Sequence, residues 1–184
     1  LCCICNGFVR DGVVTWAPTV LSAGSSDLSL SSTLLSLIIP PLNILGIVLV
    51  RRCYRLLCGN ARGAVGILLL VSALMSFLLR FISAPVACAF LLGLCCACCY
   101  GINPMINTLV PMEYERAGRV GLVAGLVDCF IYLGSALAGT AAGALSDSCG
   151  WGAVYSVWAL VSALGAALAF ISIHGGRRMS GLQS

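Results

Sequence analysis

Arg10 and Asp11 stand side by side in Asn6-Gly7-Phe8-Val9-Arg10-Asp11-Gly12, near the middle of an apolar run that extends from residue 1 to about residue 21. Ionisable groups inside a bilayer are costly unless they face a cavity or a partner. Arg10 offers a planar fork of donors that matches phosphate or carboxylate. The other reading of Arg10 is a structural ion pair, with Asp11 or Asp128, that locks two helices. Asp128 has the same two readings: a group on a proton or cation path, or the neutraliser of Arg10. Tyr132 and Ser135 follow Asp128 by four and seven residues. Tyr100, Asn103 and Asn107 recur at the spacing of one helix face. Tyr100, Asn103 and Tyr132 supply hydrogen bonds to a ligand or satisfy backbone opened near Pro104. The candidate substrate-binding set is therefore Arg10, Tyr100, Asn103, Asp128 and Tyr132.

Other chemistries find little support. The chain has no Lys and a single His, His174, so neither a Gly-x-x-x-x-Gly-Lys phosphate loop nor a paired-His metal motif is present. Nothing points to an enzyme, a cofactor or a metal. Of the 12 Cys, Cys2, Cys3, Cys5, Cys88, Cys95, Cys96, Cys98, Cys99 and Cys129 lie in apolar runs and read as small hydrophobes. Adjacent positions on one helix point in different directions, which argues against a soft-metal site at residues 95 to 99. Cys53, Cys58 and Cys149 fall in predicted loops.

The elements that must position these residues follow from composition. The 184 residues are 60% hydrophobic and 9% charged, with a mean hydropathy of +1.07. An ordinary soluble domain is about 25% charged. Too few polar side chains remain to cover a solvated globule, which excludes a soluble domain, a disordered tail and a nucleic-acid binder. A bilayer-spanning helix needs roughly 20 mainly apolar residues, and six runs qualify, at 1–21, about 30–50, 63–81, 85–109, 119–145 and 152–173. The expected fold is an all-α membrane protein of six transmembrane helices over 1–175, with a tail over 176–184. Arg51, Arg52, Arg55 and Arg62, then Arg116 and Arg119, then Arg177 and Arg178 fall in alternate connections and the tail. The connections 22–29, 82–85 and 146–151 carry none. By the positive-inside rule both ends are cytoplasmic in a cell membrane.

Pro18, Pro40, Pro41 and Pro104 interrupt the runs, as bundles allow near cavities. Gly121 and Gly125, Gly139 and Gly143, and then Ala163, Gly165 and Ala167 have the spacing of close helix contacts. Polar residues concentrate in the first span of each triplet, with Asn6, Arg10 and Asp11 in one and Tyr100, Asn103 and Asn107 in the other. Span two, with Ser36 and Asn43, is milder. That distribution suggests two inverted three-helix repeats around a site. Leu1 opens inside an apolar run, with no basic segment and no cleavage site, so no signal peptide is read and an earlier part is expected.

Residues 6 to 19, Asn-Gly-Phe-Val-Arg-Asp-Gly-Val-Val-Thr-Trp-Ala-Pro-Thr, resemble the seventh transmembrane helix of the organophosphate:inorganic phosphate antiporters. These are the major facilitator transporters of glycerol 3-phosphate and hexose phosphates. Gly59-Asn60-Ala61-Arg62-Gly63-Ala64 resembles the loop between their helices eight and nine. Cys99-Tyr100-Gly101 is similar to part of helix ten, and Ile131-Tyr132-Leu133-Gly134 with Cys149-Gly150-Trp151 to helix eleven and the loop after it. The resemblance implies half of a major facilitator fold, a partner in a missing N-terminal six-helix half of the same chain, and alternating-access exchange of a small anionic solute. It further implies that Arg10 binds the substrate phosphate and that Tyr100 and Tyr132 face the cavity. Three features depart from the pattern: Gly7 in place of an aromatic, Asp11 directly after the Arg, and Val50 where an acid precedes Arg51. Asp11 and Asp128 favour a less charged or zwitterionic ligand, or proton coupling. A proton-coupled carrier of another organic anion or drug, and a non-transporting structural protein of the bilayer, are the alternatives.

Overall fold

The computed structural model describes residues 1–23, 37–57 and 59–180. The described residues form helices and connections and no strand. Six long helices are α1 (Cys2–Ala23), α2 (Ile39–Leu56), α3 (Ala61–Leu78), α4 (Pro85–Pro104), α5 (Val120–Cys149) and α6 (Trp151–Ser180). Four stretches are long and apolar enough to cross a membrane: Ala61–Leu78, Pro85–Met112, Val120–Cys149 and Trp151–Ile173. α1 and α2 are not among them, because Asn6, Arg10 and Asp11 interrupt the first and three Arg close the second. The chain thus has the helices of a multi-pass membrane protein, and large side chains such as Leu122, Leu160 and Ile171 stay exposed on its outside.

Local chemistry sets the boundaries. Pro40 and Pro41 occupy the first turn of α2, where the missing N–H groups have no helical partner to lose. They begin that helix; they do not break it, and residues 30–36 of the expected second span lie outside the described residues. α2 also continues past the expected end at 50, so Arg51, Arg52, Cys53 and Arg55 are helical and not in a loop. Arg and Leu are good helix formers, and the helix stops only before Gly59, whose φ is 81°. Asn60 then caps α3, its side chain accepting from the Gly63 N–H at 3.1 Å. α5 and α6 overrun their expected ends, the backbone of α6 remaining helical to Ser180, where a tail was expected from 176.

Pro104 alters α4 in a specific way. A proline lacks an N–H and its ring crowds the carbonyl four residues back. Directly after it, Met105–Leu109 form a π-helical turn, followed by a short helix Val110–Met112. A π turn inserts one residue relative to an α-helix, so the expected single face of Tyr100, Asn103 and Asn107 is broken between the second and third.

The helices pack in definite pairs. α1 lies along α5, α2 along α4 and α3 along α6, and α4 further contacts α1 and α3, while α1 contacts α6. A Cβ on Gly7 would collide with the Ile131 carbonyl, and one on Gly134 with the Ile4 carbonyl, so these glycines let α1 and α5 touch backbone to backbone. Gly46 stands against the Ala97 carbonyl, and a Cβ on Gly101 would lie 2.8 Å from the Gly46 oxygen. The expected contacts at Gly121, Gly125 and Gly139 are not made among the described residues: a Cβ on any of the three would meet nothing within 4 Å. A Cβ on Gly143 would instead lie 3.1 Å from the Trp16 ring, and one on Gly165 would meet Cys5 and Leu69. Ala163 and Ala167 are exposed.

Trp158, Val9, Val13, Leu92, Cys95 and Cys99 are fully buried in one core cluster. Leu69, Ile102 and Ile131 lie in a second. Cys95 and Cys99 approach the Ser72 hydroxyl at 3.1 and 3.6 Å, and no group of potential metal ligands forms among the described residues.

Candidate functional site

α1 carries its one charged fork between α4 and α5. Arg10 Nε and Nη2 donate to Asp11 Oδ1 and Oδ2 at 2.6 and 2.8 Å, a bidentate pair between neighbours on one helix. The Arg10 side chain is only 10% exposed and that of Asp11 29%. Tyr100 of α4 closes the other side, its ring centroid 5.7 Å from Arg10 Cζ, within cation–π range. Ser135 of α5 lies near the Asp11 carboxylate and donates its hydroxyl to its own helix, at Ile131 O, 3.1 Å away.

One turn earlier on α1, Asn6 is wholly buried and donates from Nδ2 to Asn103 Oδ1 at 3.3 Å. The Asn6 and Arg10 positions are four apart and so share a helix face. Asn6 Oδ1 and Asn43 Oδ1 are buried acceptors without a partner among the described residues. An unsatisfied buried acceptor costs about 1–3 kcal/mol, so each is a polar atom that the packing leaves uncompensated. Asn43 and Tyr100 also line a groove of about 510 Å³ between α1, α2 and α4, floored by Val14, Ala17, Pro18 and Pro40.

Of the five candidates, Arg10, Tyr100 and Asn103 thus come together along the α1–α4 contact. Asp128 does not join them. It accepts from Asn107 Nδ2 at 2.7 Å and precedes Ser135 by seven residues, about 10 Å along α5. Tyr132 is 66% exposed on α5 and makes no hydrogen bond or ring contact among the described residues. Asn6, Asn43 and Ser135 belong to the site without having been among the candidates. Asn6 carried a usable signal, its four-residue spacing from Arg10, whereas the contacts of Asn43 and Ser135 depend on which helices meet.

The Arg-bearing connections meet at one end of the bundle. Arg62 Nη2, in the first turn of α3, donates to Glu113, after α4, at 2.6 Å, and its Nη1 reaches Ser172 O on α6 at 3.4 Å. At the opposite end Arg80 donates to Ser156 at 2.7 Å, and Trp16 packs on Trp151 with centroids 5.8 Å apart.

Compared with models of protein families, with curated proteins and with solved structures, the chain has no match in any of the three.

Proposed function

We propose that the chain is a six-helix domain of a major facilitator-type secondary transporter, and that Arg10 and Tyr100 bind an anionic, phosphorylated small solute in exchange for inorganic phosphate. The observation that carries this is the Arg10 fork, a nearly buried charge inside the bundle, stacked on Tyr100, which lines the groove. A guanidinium has five N–H donors; Asp11 takes two, which leaves three for a ligand's oxygens. Asn43, which lines the groove, adds an acceptor suited to a hydroxyl of a phosphate ester.

The packing pattern supports the two-repeat architecture. If the first three helices exchange with the last three, the α1–α5 pair becomes α4–α2, and α3–α4 becomes α6–α1. The α3–α6 and α1–α4 pairs map onto themselves. Every major contact therefore has its counterpart, and the close backbone approaches at Gly134 and Gly46 are exchanged as well. Three crossings per repeat reverse the second copy relative to the first, the inverted arrangement of carriers that alternate access around a fixed site.

The Arg10–Asp11 pair bears on the structural alternative. It joins neighbours on one helix, so it ties no two helices together, and the lock between Arg10 and Asp128 is absent because Asp128 bonds Asn107. The same pair favours a second transport reading, in which protonation of Asp11 frees the fork and couples anion uptake to protons.

The test is uptake of labelled glycerol 3-phosphate by the complete protein in proteoliposomes loaded with inorganic phosphate. Uptake that needs internal phosphate and vanishes in Arg10→Ala is expected. Undiminished uptake in Arg10→Ala overturns the assignment, and uptake driven by an imposed pH gradient without internal phosphate selects the proton-coupled reading.

A further inference from the structure

The geometry points to a binding site for one anionic glycerophospholipid at the arginine end of α2, its phosphate on Arg51 and Arg55 and one acyl chain in the groove between α2 and the π turn. This inference needs only the membrane setting and not the transport reading.

Three observations carry it. The first is a stripe on α2. Ile44, Val48, Arg51 and Arg55 follow one another at spacings of four, three and four, so they share a face, and that face is uncovered: Ile44 is 68% and Val48 51% exposed, and both Arg are exposed. An apolar stripe that ends in arginines matches the passage from acyl chains to headgroups, with the long side chains reaching outward. The second is charge. Arg51, Arg52 and Arg55 lie within five residues, and none forms an ion pair with a described residue; the ion pairs there are Arg10 with Asp11 and Arg62 with Glu113. Each basic side chain near the membrane surface attracts anionic headgroups.

The third is the groove itself. A cleft of about 330 Å³ runs between α2 and the turn after Pro104, lined by Ile47, Val50, Leu109, Arg51, Tyr54 and Thr108. Its polar members can meet a headgroup phosphate and glycerol, and its remaining lining is apolar. Soluble phosphate satisfies the arginines alone. Only a lipid satisfies both parts, which commits the site to the lipid source.

The complete protein is washed in detergent, exposed to vesicles of phosphatidylcholine with and without phosphatidylglycerol, and the lipid retained per chain is counted by native mass spectrometry. Retention of one phosphatidylglycerol is expected, together with a raised melting temperature that phosphatidylcholine does not give. The double variant Arg51→Gln/Arg55→Gln should weaken retention by about tenfold or more. Arg116→Gln/Arg119→Gln removes the same charge from the neighbouring connection and should leave it intact, as should Arg10→Gln. Equal retention of both lipids overturns the proposal, as does equal loss in the two double variants. Displacement by millimolar inorganic phosphate also overturns it, since the anion would then come from solution. Because Arg10→Gln removes the transport site and spares the lipid, failure of either reading is seen apart from the other.

Discussion

A guanidinium gripped by the carboxylate of the next residue is neutral as a unit, which is why α1 can hold it inside an apolar bundle. On the proposed reading the grip also sets what a ligand must do, since a phosphate would compete with Asp11 for the Nε and Nη2 edge or take the remaining N–H groups. Removing one partner of a buried pair leaves an uncompensated charge, at a cost of roughly 3–5 kcal/mol; the 29% exposure of Asp11 moves this toward the lower end. Asp11→Asn is therefore expected to lower the melting temperature of the ligand-free protein and to enlarge the stabilisation by added inorganic phosphate, because a ligand that replaces the lost partner binds the folded state more tightly. An equal phosphate shift in both proteins would remove Asp11 as a competitor. Asn103→Leu deprives Asn6 of its partner in a fully buried setting and should cost about 1–3 kcal/mol, read as a loss of melting temperature. The charge of Arg10 was legible because it sits in an apolar run. Its partner was not, because two acids were available and only the fold separates Asp128 from it.

At the scale of elements, small residues matter by what faces them. Gly7 and Gly134 each stand against a carbonyl of the opposite helix, so Gly7→Ala or Gly134→Ala forces α1 and α5 apart. Overpacking of this kind costs about 1–3 kcal/mol. Gly121→Ala meets nothing within 4 Å and gains up to about 1 kcal/mol of helix propensity. Thermal unfolding of the three variants in detergent should give two losses and one null or small gain; a loss at Gly121 equal to that at Gly7 would show the α1–α5 contact to be elsewhere. Spacing suggested the glycines four apart on α5, yet a spacing describes one helix and a contact needs two. Gly7, read as a departure from an aromatic, is explained by the Ile131 carbonyl, which leaves no room for a side chain. The ends of α2 were misread for a related reason: charge was taken for a loop, although arginines continue a helix well and only Gly59 and Asn60 change the backbone direction.

For the whole molecule, the alternation of arginines along the chain was the most transferable signal in the sequence. The structure gathers Arg62 and Glu113 at one end and Trp16 with Trp151 at the other. Cys149 is exposed at the turn between α5 and α6, so an impermeant maleimide on intact cells should modify it, with peptide mapping as the readout, and should spare an Arg116→Cys variant at the arginine end. The opposite pattern reverses the orientation. Cys53, expected in a loop, is helical and half-buried and serves poorly for this purpose. The exchange of helix pairs between the two triplets could not be read from the sequence, because it concerns partners and not periods. The π turn after Pro104 has a further consequence. It gives α4 one supernumerary residue, and each residue of an α-helix advances the side chains by about 100°. The phase between α4, which meets α1 and α2, and the π turn after it, where Asn107 meets Asp128, therefore depends on a single residue of chain length. Deleting one residue there would leave both halves helical while turning Asn107 off its carboxylate, so the molecule can reset the alignment of its two ends without changing a side chain in either.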